Sequence, residues 1–269
     1  RQVLGLRVPT GTNLDITNNI FIYINDVLQV PNVSYKFSGS RVVFTEAPKP
    51  GSKCSILYYR GSSVDVELVV PPPTIKPGDK VLIDTPVYNN FFNWLNEVKA
   101  EIIEVPMRRE ELHYTYDLIG IENAYKSGVK VHILCNPQNP TGTVHAKADL
   151  QKIADLALEF GVIVISDEIH APLTYVTEDF HPFLAISDSA RRVGITITSA
   201  SKSFNIAGLK CAVIITEDQH LNELLATMPI AVHYRASLFG GVASAAAFAH
   251  GSSWLTATLD QLDINRKLL

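Results

Sequence analysis

Cysteine is scarce in this sequence. The three in 269 residues, Cys54, Cys135 and Cys211, are odd in number, far apart and set in apolar, strand-like contexts. That distribution speaks against a disulfide framework and a zinc site, and predicts buried thiols. The eight histidines show no metal-ligand spacing either. No apolar run reaches the length of a membrane span, and the first residues lack the pattern of a secretion signal, so a cytoplasmic location away from membranes is expected. An excess of one charge is also missing. A formal net charge of -4 gives no electrostatic reason to expect nucleic acid or an anionic membrane as partner. What is present, 46% hydrophobic and 19% charged residues, is the composition of an ordinary globular protein with room for one large domain or two smaller ones.

The chain changes texture near its first quarter. Residues 1–72 read as a small all-β module, because Ile20 to Ile24, Arg41 to Thr45 and Cys54 to Tyr59 are short β-rich runs. Asn25-Asp26, Ser38-Gly39-Ser40 and Pro48-Lys49-Pro50-Gly51 supply turn chemistry between them. Pro71-Pro72-Pro73 marks the expected boundary, since consecutive prolines cannot continue a sheet ladder. From there, residues 73–269 alternate apolar strands with amphipathic helices. Strands are predicted at Val81 to Ile83, Ile102-Ile103, Val131 to Cys135, Val162 to Ile165, Val193 to Thr198 and Ala212 to Thr216. Helices are predicted from Phe91 to Val98, along the Leu150, Ile153, Ala154, Ala157, Leu158 face up to Gly161, and from Ser253 onward. Continuous apolar strands with intervening helices predict an α/β fold with a mostly parallel sheet buried on both faces.

Polar groups gather at three predicted strand ends, where an open α/β sheet presents its ligand site. The first is Asn136-Pro137-Gln138-Asn139-Pro140-Thr141-Gly142; a turn explains its prolines better than its two asparagines. The second is Ser166-Asp167-Glu168-Ile169-His170, where a helix cap would explain Asp167 as well as a site would if it stood alone. The third is Ser199-Ala200-Ser201-Lys202-Ser203-Phe204-Asn205, a single lysine after small hydroxyl residues, with Ser199, Ser201 and Lys210 able to hold a phosphate. A solvated lysine would explain this stretch alone; the three together, in this order, point to one site.

With those residues in view, the second part of the chain, from about residue 76 to 269, resembles the large domain of the fold type I pyridoxal-phosphate enzymes, the aminotransferase class I and II superfamily. The resemblance implies that Lys202 binds pyridoxal 5'-phosphate as a Schiff base and that Asp167 pairs with its pyridine nitrogen. It implies that Asn139 donates to the phenolic oxygen and Tyr88, in Thr85-Pro86-Val87-Tyr88, stacks on the ring. Ser199, Ser201 and Lys210 would take the phosphate, Lys210 standing where the family often has arginine, which keeps the charge and loses the bidentate fork. His170, three residues after Asp167, resembles the cystathionine β-lyase branch of carbon-sulfur lyases, where many aminotransferases carry tyrosine; a core histidine bonded to backbone explains it equally well. That branch implies β-elimination on cystathionine or a related thioether amino acid, with transamination as the alternative, and a homodimer.

The stretch from Ile22 to Val66 is similar to small β modules of tailed-phage structural proteins, which implies a structural or interaction role for it. Set against the family pattern, the enzyme-like part is expected to be incomplete at both ends. The Gly-containing phosphate loop before Pro77-Gly78-Asp79 is replaced by the β module, and the small domain that carries a substrate-binding arginine would follow Leu269. Cofactor binding without turnover is therefore a second expectation, and a purely structural role a third.

Overall fold

A computed structural model of the chain describes residues 3–5, 20–24, 27–28, 35–38, 41–46, 54–58, 75–228, 232 and 235–268. Its contacts divide the chain into two compact units, Arg1–Val64 and Asp65–Leu269. The first unit contains strands β1 (Val3–Gly5), β2 (Ile20–Ile24), β3 (Val27–Leu28), β4 (Tyr35–Ser38), β5 (Arg41–Phe44) and β6 (Cys54–Tyr58). They pair antiparallel in two three-stranded sheets, ordered β1-β5-β4 and β3-β2-β6. The three β-rich runs read from the sequence coincide with β2, β5 and β6. The turns at Asn25-Asp26, Gly39-Ser40 and Pro48 to Gly51 and the boundary at Pro71 to Pro73 lie outside the described residues.

The second unit is built on strands β7 (Lys80–Thr85), β8 (Glu101–Pro106), β11 (Val131–Cys135), β12 (Ile163–Asp167), β13 (Gly194–Thr198) and β14 (Val213–Ile215), with a small hairpin of β9 (Arg108–Glu110) and β10 (His113–Thr115). Its helices are α1 (Asn90–Glu97), α2 (Leu118–Lys126), α3 (Lys147–Phe160), α4 (Asp188–Val193), α5 (Gln219–Ala226), α6 (Leu238–His250) and α7 (Ser252–Leu268). The six-stranded sheet runs β14-β13-β12-β11-β7-β8, parallel except for β14, which is antiparallel to β13. Alternate residues of one strand point to opposite faces, and here both faces are covered. Leu82, Leu134 and Val164 pack under α2, α3 and α4 with Ile121, Leu150 and Ile153. Val81, Ile83, Ile133, Ile165 and Ile197 pack on the other side with Phe91, Leu95, Leu221 and Leu225 from α1 and α5. This two-sided burial is why the strands read as unbroken apolar runs. Helix α3 stops where Gly161 takes a left-handed conformation, φ 67°, and donates its N–H to Ala157 O.

Expectations at Val193 and Cys211 need correction, whereas an antiparallel last strand still leaves the sheet mostly parallel and helix α6 fills a stretch that carried no expectation. Val193 ends α4, and β13 begins at Gly194, where a Cβ would lie 2.7 Å from the Leu184 side chain. The last strand turns back antiparallel. Helix α6 replaces a stretch that the sequence left unassigned, its Gly240-Gly241 pair masking it. Cys135 is buried as expected, but Cys211 is only partly so, because it precedes the sheet's edge strand rather than an inner one.

Candidate active site

The strand order reverses at β7: β8 lies on one side of it and every later strand of the sheet on the other. Such a switch point opens a crevice at the carboxyl ends of the strands. Asp167 ends β12, and the loops leaving β7, β11, β12 and β13 carry Tyr88, Asn139, His170, Ser199, Ser201 and Lys202, while Lys210 stands just before β14.

After β7, Tyr88 is half-buried, its hydroxyl accepts from Asn90 Nδ2 at 2.7 Å, and its ring meets Phe91 and Trp94 edge-on at 6.2 Å. After β11, the two asparagines part company. Asn136 is fully buried, and its Oδ1 accepts the His145 N–H at 3.1 Å, a structural task. Asn139 instead lines an open cleft of about 310 Å³ together with Gly142, His170, Thr174, Tyr175 and Glu178. Asn139 and His170 are thus brought to one cavity wall from separate loops.

Asp167 closes β12 and is 5% exposed. Its Oδ1 accepts the Ile169 N–H at 3.1 Å, which holds the carboxylate against its own loop; it caps no helix, because the helical turn that follows, Ala171–Leu173, has His170 at its N-cap. Burial, followed by the charge of Glu168, outweighs that bond and pushes its pKa up to about 7. Among the described residues no lysine, arginine or histidine forms an ion pair with it. Glu168, to which the sequence assigned no role, is also buried. Its Oε1 accepts from Phe183 N at 2.7 Å and Ser166 Oγ at 3.0 Å, and burial still pushes it up to about 7. His170 is half-buried, and desolvation lowers its pKa, favouring the neutral ring.

Beyond β13, Ser199 and Ser201 are buried and bonded to each other, Oγ to Oγ at 2.7 Å. A hydroxyl has one proton, so Ser199 donates to Cys211 O at 2.6 Å and accepts from Ser201. Lys202 is half-buried in the turn that follows, and Lys210 stands in a left-handed conformation, φ 51°. A second buried group escaped the sequence reading altogether. Asp84 Oδ2 meets His132 Nε2 at 2.6 Å, and His132 Nδ1 meets the Tyr125 hydroxyl at 2.7 Å, linking β7, β11 and α2 beneath the crevice. Partners 48 residues apart leave no local signal in the sequence.

A mostly parallel sheet whose order reverses at β7, with a carboxyl buried at the end of β12 and a lysine turn after β13, defines an open α/β protein. The model of aminotransferase class I and II matches residues 57–269. The chain belongs to that family. A curated relative from Mycobacterium leprae is 38% identical over 200 residues, 71% of this chain and 48% of its own length. Cystathionine beta-lyase PatB of Bacillus subtilis is 32% identical over 197 residues, again 71% of this chain and 50% of its own. Among solved structures, cystalysin from Treponema denticola, which contains a pyridoxal 5'-phosphate cofactor, superposes with a TM-score of 0.67 at 31% identity, over 73% of this chain and 50% of that one. The chain spans about half the length of the curated relatives it matches. The family match begins at residue 57, within β6.

Proposed function

We propose that the chain binds pyridoxal 5'-phosphate through Lys202 and belongs to a carbon-sulfur lyase that acts by β-elimination. The observation that carries this reading is Asp167. A buried carboxyl at a strand end, pushed up to about 7 and without a cationic partner among the described residues, is costly unless a cation is delivered to it. A protonated pyridine nitrogen is such a cation, and the charge-assisted hydrogen bond would keep both groups ionised. The relatives point the same way: the C-S lyase from Staphylococcus hominis, whose structure is pyridoxal-phosphate-bound, is 30% identical over 71% of this chain and 48% of its own, with a TM-score of 0.65.

When bound, the cofactor supplies an electron sink for the α-carbon of an attached amino acid. Tyr88 holds the ring plane, and Asn139 fixes its rotation from the cleft side. Ser199 and Ser201, now bonded to each other and to Cys211 O, would hold the phosphate by turning their hydroxyls towards it, and Lys210 would supply charge. Lys202 Nζ, freed when the substrate amine replaces it, would take the proton from the substrate α-carbon, and the C–H electron pair would form a Cα=Cβ bond as the Cβ–S bond breaks and the thiolate leaves. His170, kept neutral by its surroundings, stands on the cleft wall. Cystathionine or a related thioether amino acid is the substrate this reading assigns, in a cytoplasmic homodimer.

An absorption spectrum of the protein with pyridoxal phosphate, before and after borohydride, tests the cofactor, with Lys202→Ala as control. The expected result is a reducible visible band that the variant lacks; a well-folded protein without that band would sink the proposal. Release of pyruvate and ammonia from cystathionine then distinguishes elimination from transamination.

A further inference from the structure

Gln138 stands where two loops of the site meet, and it is 3% exposed. Its backbone closes its own loop: the N–H donates to Thr143 O and the carbonyl accepts from Gly142 N–H, both at 2.8 Å. Its side chain reaches out of that loop. Nε2 donates to the carbonyl of Pro86 at 2.8 Å and, less closely, to that of Asp84 at 3.4 Å. Pro86 lies two residues before Tyr88, and Asn139 directly follows Gln138. One amide group therefore ties the loop after β11 to the loop after β7, on the two strands that flank the switch point. An apolar side chain of similar size would fill this space without the cost of desolvating an amide; what the amide alone supplies is the donor to Pro86.

Resting on the cofactor reading above, we propose that Gln138 is a positioning residue that fixes the separation of Tyr88 from Asn139, and with it the tilt of a ring held between them. The bond to Pro86 O comes from a buried side chain of the other loop, so its loss loosens the Tyr88 loop while the backbone bonds of the Asn139 loop persist.

Hydrogen exchange on the cofactor-free full chain tests this, comparing wild type with Gln138→Met and Gln138→Leu, both of which occupy the space with an apolar side chain that carries no donor. The expected result is exchange about three- to tenfold faster at residues 87–92 in both variants, with Gly142 and the position 138 amide within about twofold of wild type. With cofactor added, the visible circular dichroism per unit absorbance falls in both variants while the borohydride-reducible band persists. Unchanged exchange at residues 87–92, or a uniform rise throughout the sheet, overturns the proposal. The exchange arm needs no cofactor. A wild-type protein without a visible band would overturn the cofactor reading, while the exchange result still decides whether Gln138 joins the loops.

Discussion

Asp167 and Glu168 are consecutive carboxyls whose burial pushes each up to about 7. Between the ordinary carboxyl value near 4 and that figure the native protein holds a proton that the unfolded chain has released. Their contribution to stability therefore falls as pH rises from about 4 to 7 and is flat above. His145 acts in the opposite sense: burial lowers it to about 3, so the native state holds fewer protons up to about 6.5 and gains stability over that range. A single pH curve mixes these, but a difference curve does not. Asp167→Asn, measured against wild type by urea unfolding without cofactor, is expected to gain relative stability between pH 5 and pH 8, with a ceiling of ~3 kcal/mol over that window. A pH-independent difference would contradict the assignment. His132→Leu strands the Asp84 carboxyl and the Tyr125 hydroxyl in the interior, and is expected to cost about 3 kcal/mol in the same assay. At this scale the sequence was legible in placing polar residues beside strand ends, Asp167 at the end of β12 and Lys202 in the turn after β13. It was illegible at Gln138, Glu168 and His132, whose meaning lies in a carbonyl, an amide or a carboxylate far along the chain.

Secondary-structure elements were easier to read because their signal is local. Two-sided burial prints itself on β7, β11 and β12 as unbroken apolar runs, and α3 shows a periodic face ended by Gly161. Ile153→Ala, at a wholly buried position of α3, is expected to lower unfolding free energy by about 2–5 kcal/mol. The direction of β14 was not legible, since Val-Ile-Ile reads alike both ways, and α6 was hidden by its glycines. One of those glycines is a contact point. A Cβ on Gly240 would press on the carbonyl of Leu209 and lie 2.9 Å from Cys211 Cβ, either side of Lys210. Gly240→Ala is therefore expected to displace the segment that supplies Lys210 and the acceptor of Ser199. The dissociation constant for pyridoxal phosphate should rise by about tenfold, 1.4 kcal/mol, with the reducible band retained. A titration within twofold of wild type would exclude that coupling.

Across the whole molecule, the two free thiols among the described residues report on different events. Cys135 lies in the apolar layer between the sheet and α1, where burial pushes its thiol far up, whereas Cys211 is partly exposed before the edge strand. Alkylation followed by mass spectrometry should modify Cys211 in the native protein and spare Cys135 until the sheet opens; simultaneous labelling would place the layer in exchange with solvent. The strand order has a consequence for the chain's birth. Once β7 and β8 are paired, β11 settles on the free edge of β7, and β12, β13 and β14 each settle beside the sheet strand made just before, so a chain leaving the ribosome can widen its sheet from one growing edge without undoing an earlier pair. Tyr88, Asn139 and Asp167 arrive in that order, and the lysine turn comes after them. On the proposed cofactor site, unfinished chains would carry the residues assigned to the ring before the amine assigned to its aldehyde, and free cofactor would have no covalent hold on them until β13 had emerged.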